Sequence, residues 1–82
     1  MKFKRQFYIR PFGTLYFDSA TGYKPVSWGA AETLVGAKRG TLVRLGATEQ
    51  YCRAIIYDRR NGTTLIRYSR GQGGSINRRD GD

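Results

Sequence analysis

Two runs of alternating apolar residues, Gln50–Asp58 and Thr63–Ser69, flank Arg59-Arg60-Asn61-Gly62, and this arrangement restricts the fold more than any other feature of the chain. Asn and Gly both tolerate positive φ, so an Asn-Gly pair between such runs specifies a β-hairpin. The faces of this hairpin are less determined. One alternation places Tyr51, Arg53, Ile55 and Tyr57 with Ile66 and Tyr68. The other collects Cys52, Ala54, Ile56, Leu65 and Arg67. Both faces are partly apolar, which suits a helix on one and a partner on the other.

The N-terminal third reads as a second hairpin. Phe3, Arg5, Phe7 and Ile9 alternate with Lys4, Gln6, Tyr8 and Arg10, the period of a half-buried strand. Pro11 cannot donate to a ladder, so that strand ends there or runs along an edge. Thr14–Asp18 resumes the alternation with Leu15 and Phe17 inward. Phe17-Asp18-Ser19-Ala20-Thr21-Gly22 and Tyr57-Asp58-Arg59-Arg60-Asn61-Gly62 share an aromatic-Asp-x-x-x-Gly pattern, read as two similar turns held by Asp and closed by Gly.

Between the hairpins, Ser27 is placed to cap a helix that starts at Trp28. Ala30, Ala31, Leu34, Val35 and Ala37 form its apolar stripe, Lys38 and Arg39 its last turn, and Gly40 its C′ residue. Thr41–Leu45 reads as a short strand. From Arg70 onward the chain has one large apolar residue and a Gly-rich run, the composition of a flexible tail. The expected architecture is α+β: a mainly antiparallel sheet of about five strands in the order β-β-α-β-β-β, with one helix on a face. A single domain spans residues 1–69, followed by a Gly/Arg-rich tail over 70–82.

An 82-residue chain buries only roughly 60% of its unfolded surface, leaving little room for a deep cavity. A monomer or small homo-oligomer is expected. Fifteen Lys and Arg against six Asp and Glu give a net charge of +9, and eleven of the fifteen are Arg. The guanidinium fork suits phosphate and carboxylate, so the balance points to a polyanionic partner or a complex that handles one.

Several classes are excluded by what the sequence lacks. It has no His, hence neither the commonest general base nor the commonest metal ligand. The single Cys52 forms no zinc motif and no internal disulfide, and reads as a small buried residue. Gly36-Ala37-Lys38-Arg39-Gly40-Thr41 lacks Walker spacing, and Asp18, Glu32, Glu49 and Asp58 show no convergence. No enzyme activity, metal or cofactor is expected. With no leader-like start, no membrane-length apolar run and no disulfide framework, the expected setting is the host-cell cytoplasm.

The candidate contacts are basic and aromatic. Lys4, Tyr8 and Arg10 alternate outward on the first strand, and Tyr16 is expected to join them from its hairpin partner, forming a surface that stacks bases and neutralises phosphates. Arg53 and Arg67 lie on the second hairpin, and Arg59 and Arg60 at its tip.

Glu32-Thr33-Leu34-Val35-Gly36-Ala37-Lys38-Arg39 resembles a helical segment of small phage-encoded anti-CRISPR proteins that inhibit type I CRISPR surveillance complexes. The surroundings are similar: a β element before the helix, then a meander with a Gly-containing turn and an aromatic-rich strand. The resemblance implies a non-enzymatic phage or mobile-element inhibitor that docks on a crRNA-guided nucleoprotein complex and blocks target DNA, with Lys38 and Arg39 the matched positions able to touch a partner. The alternative is an accessory protein that binds DNA or RNA directly. A ribosome-dependent ribonuclease toxin, which can work without His, is a third reading that the single helix disfavours.

Overall fold

The computed structural model of the protein describes residues 8–81. Five antiparallel strands form one sheet: β1 (Phe12–Asp18), β2 (Pro25–Ala31), β3 (Tyr51–Asp58), β4 (Thr64–Arg70) and β5 (Ile76–Asp80), in spatial order β2-β1-β3-β4-β5. One long α-helix, α1 (Leu34–Ala47), lies across one face, and a short 3-10 turn (Gln72–Gly74) precedes β5. The α+β class and the element order agree with the sequence reading, although several elements occupy different residues.

Both Asp-containing turns are built alike. The amide of Gly22 donates to the Asp18 carbonyl (2.9 Å) and that of Gly62 to the Asp58 carbonyl (2.7 Å), with φ of 71° and 78° at the two glycines. Each Asp carboxylate also accepts a turn amide, from Thr21 and from Arg60 respectively.

The helix is displaced from its expected position. Ser27 and Trp28 belong to β2, where they pair with Tyr16 and Leu15. The cap is Thr33, whose Oγ1 accepts the Gly36 amide at 3.0 Å. The helix then runs through Gly40 and through Thr41–Leu45, which reads locally as a strand. Burial explains this: Ala37, Thr41 and Leu45, spaced four apart, are the residues that α1 seats on the sheet. Tertiary packing overrides the ~1 kcal/mol by which each helical glycine weakens such a segment. Arg70 finishes the helix from β4, its guanidinium donating to the carbonyls of Leu45 and Thr48 near the C-terminus and to that of Tyr51.

The N-terminal and C-terminal expectations also change. Tyr8 and Ile9 are helical and Arg10 lies in a bend, so no strand passes through them; Phe3 to Phe7, including Lys4, fall outside the described residues. Within the stretch expected to be a flexible tail, residues 70–81 are not structureless, and Asp82 lies outside the described residues. Gly73 and Gly74, with φ of 79° and 85°, make a tight turn, and β5 returns to pair with β4 from Ile66↔Asp80 to Arg70↔Ile76. The apolar side chain of Ile76 packs against the core, and the backbone ladder supplies what side-chain burial does not.

The core lies between α1 and the sheet face bearing Tyr16, Ala54, Ile56, Ile66 and Tyr68. Tyr16 therefore points inward, the reverse of the expected alternation. A buried bond links the layers, between Thr14 Oγ1 on β1 and Thr41 Oγ1 on α1 (3.0 Å). Among the described residues no helix is long and apolar enough to cross a membrane.

Candidate nucleic-acid interface on the open sheet face

The register assigns every side chain on the face opposite α1. Trp28, Leu15, Ile55, Arg67 and Arg79 are successive partners across all five strands, forming one straight row. With strands ~4.8 Å apart, the row is about 19 Å long. Trp28, 66% exposed, stands at one end, Leu15 and Ile55 form a half-buried apolar floor, and the exposed Arg67 and Arg79 occupy the other end.

A second row flanks it, with Phe17, Arg53, Ser69 and Asn77 in register. The Arg53 guanidinium lies 4.3 Å from the centre of the Phe17 ring and donates to the Gly22 carbonyl at 2.7 Å. That contact fixes the group without cancelling its charge. On the other flank Tyr57 pairs with Gly13, and its ring lies where a Gly13 Cβ would be, 2.7 Å from the nearest ring atom. The missing side chain lets Tyr57 lie flat on the sheet.

Two hollows open on this face. One of about 340 Å³ is lined by Ile9, Arg10, Trp28, Ala30 and Arg59. Arg59 is held there by bonds from its amide to the Pro11 carbonyl (2.7 Å) and from Nη1 to the Arg10 carbonyl (3.2 Å). The other, of about 310 Å³, is lined by Arg53, Ile55, Arg67, Ser69, Asn77 and Arg79, with Tyr68 and Arg78 between them on β4 and β5 also bordering it.

None of the described carboxylates stands in either row. Asp18 and Asp58 are spent in turns. Asp80 faces the helix side beside Arg78, with Nε–Oδ1 at 2.8 Å, and Glu32 and Glu49 sit in the connections flanking α1. Hydrogen bonds hold all three Asp carboxyls below the usual range: from the Thr21 amide at Asp18, from the Arg60 side chain at Asp58 and from the Arg78 side chain at Asp80. Among the described residues the open face thus carries positive and no negative side chains, and its combination of an indole, a phenol ring and guanidinium groups suits stacking of bases and neutralisation of phosphates.

The expected contact residues divide on this geometry. Arg53 and Arg67 share the second hollow, while Arg10 and Arg59 share the first with Trp28. Tyr8 is exposed on its helical turn. Arg60 is bound to Asp58 through two guanidinium hydrogen bonds (2.9 and 2.8 Å), so its charge is compensated. Tyr16, 3% exposed, stacks on Tyr51 at 5.2 Å beneath the Arg44 guanidinium and is unavailable for stacking on a ligand. Lys38 and Arg39 are on α1, beyond the sheet from this face. Lys4 lies outside the described residues.

Sequence reasoning missed Trp28, Tyr57 and Arg79 as candidate contacts. Trp28 alternates with Val26 and Ala30, a strand signal obscured by the helix expected there. Arg79 joins Arg67 only once β5 is placed. The faces of the second hairpin also differ from the expected grouping. Arg53, Ile55 and Tyr57 do share a face, but Ile66 and Tyr68 join Ala54 and Ile56 on the other, while Arg67 joins Ile55. Register shifts between Phe17 and Asp18 and between Ile56 and Tyr57 cause further departures, and the first turns Tyr51 toward Tyr16. No known family model, curated protein or solved structure matches the chain.

Proposed function

We propose that this protein is a non-enzymatic binding module whose open sheet face holds single-stranded nucleic acid in the cytoplasm. The observation that carries the proposal is the row Trp28–Leu15–Ile55–Arg67–Arg79, a stacking group joined by an apolar floor to two guanidinium groups that have no ion-pair partner among the described residues, on a face without a described carboxylate. Splayed bases stack on such surfaces while the backbone is neutralised beside them; duplexes keep their bases inside. Docking on a crRNA-guided complex, implied by the resemblance of Glu32–Arg39, is a narrower form of this proposal in which a nucleoprotein presents the strand. Lys38 and Arg39 would then meet the partner from the helix side.

Trp28 is the chain's only tryptophan, so its emission reports on the site directly. Titration with single-stranded and duplex oligonucleotides is expected to quench Trp28 with the single strand at the lower concentration. Phosphate contacts from Arg10, Arg53, Arg59, Arg67 and Arg79 together give a log–log salt slope of about −3.5 for a single strand. Trp28→Ala is expected to weaken binding by about 1–3 kcal/mol. Equal affinity for duplex and single strand, or an unaffected Trp28→Ala variant, contradicts the proposal.

A further inference from the structure

The hollow around Arg53, Arg67 and Arg79 concentrates more positive charge than the interior of a nucleic-acid strand requires. Arg67 and Arg79 are direct partners on adjacent strands. Like charges so placed destabilise a sheet. Elsewhere the chain relieves comparable groups with a carboxylate: Arg60 has Asp58, and Arg78, next to Arg79 in sequence, has Asp80. Arg67 and Arg79 have no hydrogen-bond or ion-pair partner among the described residues. Arg53 adds a third guanidinium, oriented by the Gly22 carbonyl and the Phe17 ring, and its Nε is buried with no partner. Ser69 and Asn77 contribute neutral hydrogen-bonding groups to the same hollow.

An internal phosphodiester brings a single negative charge. A terminal phosphomonoester brings about −1.5 to −2 at neutral pH and three strong acceptor oxygens. Three guanidinium groups match the second far better: Arg67 and Arg79 can each engage phosphate oxygens through paired donors, and Arg53 adds its fixed charge beside them. The hollow also borders β5, the sheet edge at which the row beginning with Trp28 runs out.

We infer that this hollow seats the terminal phosphate of the bound strand, so that the protein recognises phosphorylated ends. The inference rests on the reading of the open face as a single-strand interface. Internally labelled oligonucleotides of one sequence, bearing a 5′-phosphate, a 3′-phosphate or two hydroxyl ends, are titrated by fluorescence anisotropy against the full chain. One phosphorylated form is expected to bind about tenfold more tightly than the hydroxyl form. That advantage shrinks as pH falls from about 7.5 to 5.5, because the phosphate's second pKa is about 6 while arginine does not titrate there. Arg79→Gln removes the advantage, whereas Trp28→Ala weakens all three forms alike.

Equal affinity for the three forms, with binding intact, overturns end recognition and leaves the open-face reading standing. Failure of all three to bind overturns both. Inorganic phosphate, titrated alone by calorimetry, separates the two sources of the anion: affinity equal to that of the phosphorylated strand makes the free ion the ligand and overturns the strand-end inference.

Discussion

Replacing Gly13 with alanine adds one methyl group beneath the Tyr57 ring. Its Cβ would lie 2.7 Å from Cζ, 2.8 Å from the hydroxyl oxygen and 2.9 Å from Cε1, so the ring must retreat by about 1 Å to regain ordinary contact. The backbone itself offers no resistance, because Gly13 is not among the glycines with positive φ. Two effects therefore oppose each other. Displacing the ring costs about 1–3 kcal/mol, the range for overpacking. Removing a glycine from a strand returns about 0.5–1 kcal/mol through the unfolded state. The expected net result is destabilisation of about 1 kcal/mol, measured by urea denaturation of a two-state domain. In a Tyr57→Ala background the clash vanishes and the sign reverses, with Gly13→Ala stabilising by about 0.5 kcal/mol. The coupling energy, about 1.5 kcal/mol, is the quantity that tests the geometry. An equal cost in both backgrounds refutes the placement of Tyr57 on Gly13 and with it one wall of the open face.

Three further outcomes are expected. Thr41→Val leaves the buried Thr14 hydroxyl without its partner and costs about 1–3 kcal/mol in urea denaturation, while the Thr14→Val/Thr41→Val double variant recovers most of the loss; a double variant as unstable as the single one contradicts the inter-layer bond. Arg79→Gln relieves the like-charge pair with Arg67 and raises stability by about 0.2–1 kcal/mol while weakening oligonucleotide binding, and a destabilised variant would show that the pair is not repulsive. The lowered carboxyl pKa values of Asp18, Asp58 and Asp80 contribute stability that is present above the ordinary value of 3.8 and lost as pH falls through the folded-state values, so thermal melts change little from these groups between pH 8 and 5 and fall below about pH 4, less so in Asp58→Asn; equal acid sensitivity in that variant excludes Asp58 as a contributor.

The arginines illustrate why net charge alone does not locate a site. Arg44 and Arg70 are structural ties. Arg44 covers the Tyr16 ring at 4.4 Å and donates to Ser27 Oγ and the Trp28 carbonyl, while Arg70 closes the end of α1. Arg60 and Arg78 are balanced by acids. What distinguishes Arg67 and Arg79 is position: they stand side by side with no described carboxylate on their face. A sequence count of positive charge weighs all of these groups equally.

Features governed by short-range contacts were legible in the sequence. The β3–β4 hairpin follows from Asn61-Gly62, and both Asp-x-x-x-Gly turns form as their spacing demands, because the stabilising bonds connect residues at most four apart. The α+β class was legible from the alternating runs and from a helix between the hairpins, although the stripe that the helix buries, Ala37, Thr41 and Leu45, shares only Ala37 with the expected one. The tertiary structure alone decided where that helix starts, that Arg/Asn-rich β5 joins the sheet, and which side of each strand is covered. Thr41–Leu45 becomes helical because Thr41 and Leu45 find a sheet to bury against, and Ile76–Asp80 becomes a strand because β4 presents unpaired backbone groups. The open face with its Trp28–Arg79 row belongs to this second class. It is assembled from residues as far as 64 positions apart in the chain, Leu15 to Arg79, by pairings whose register is set by bulges and by the docking of α1, and no local pattern encodes either.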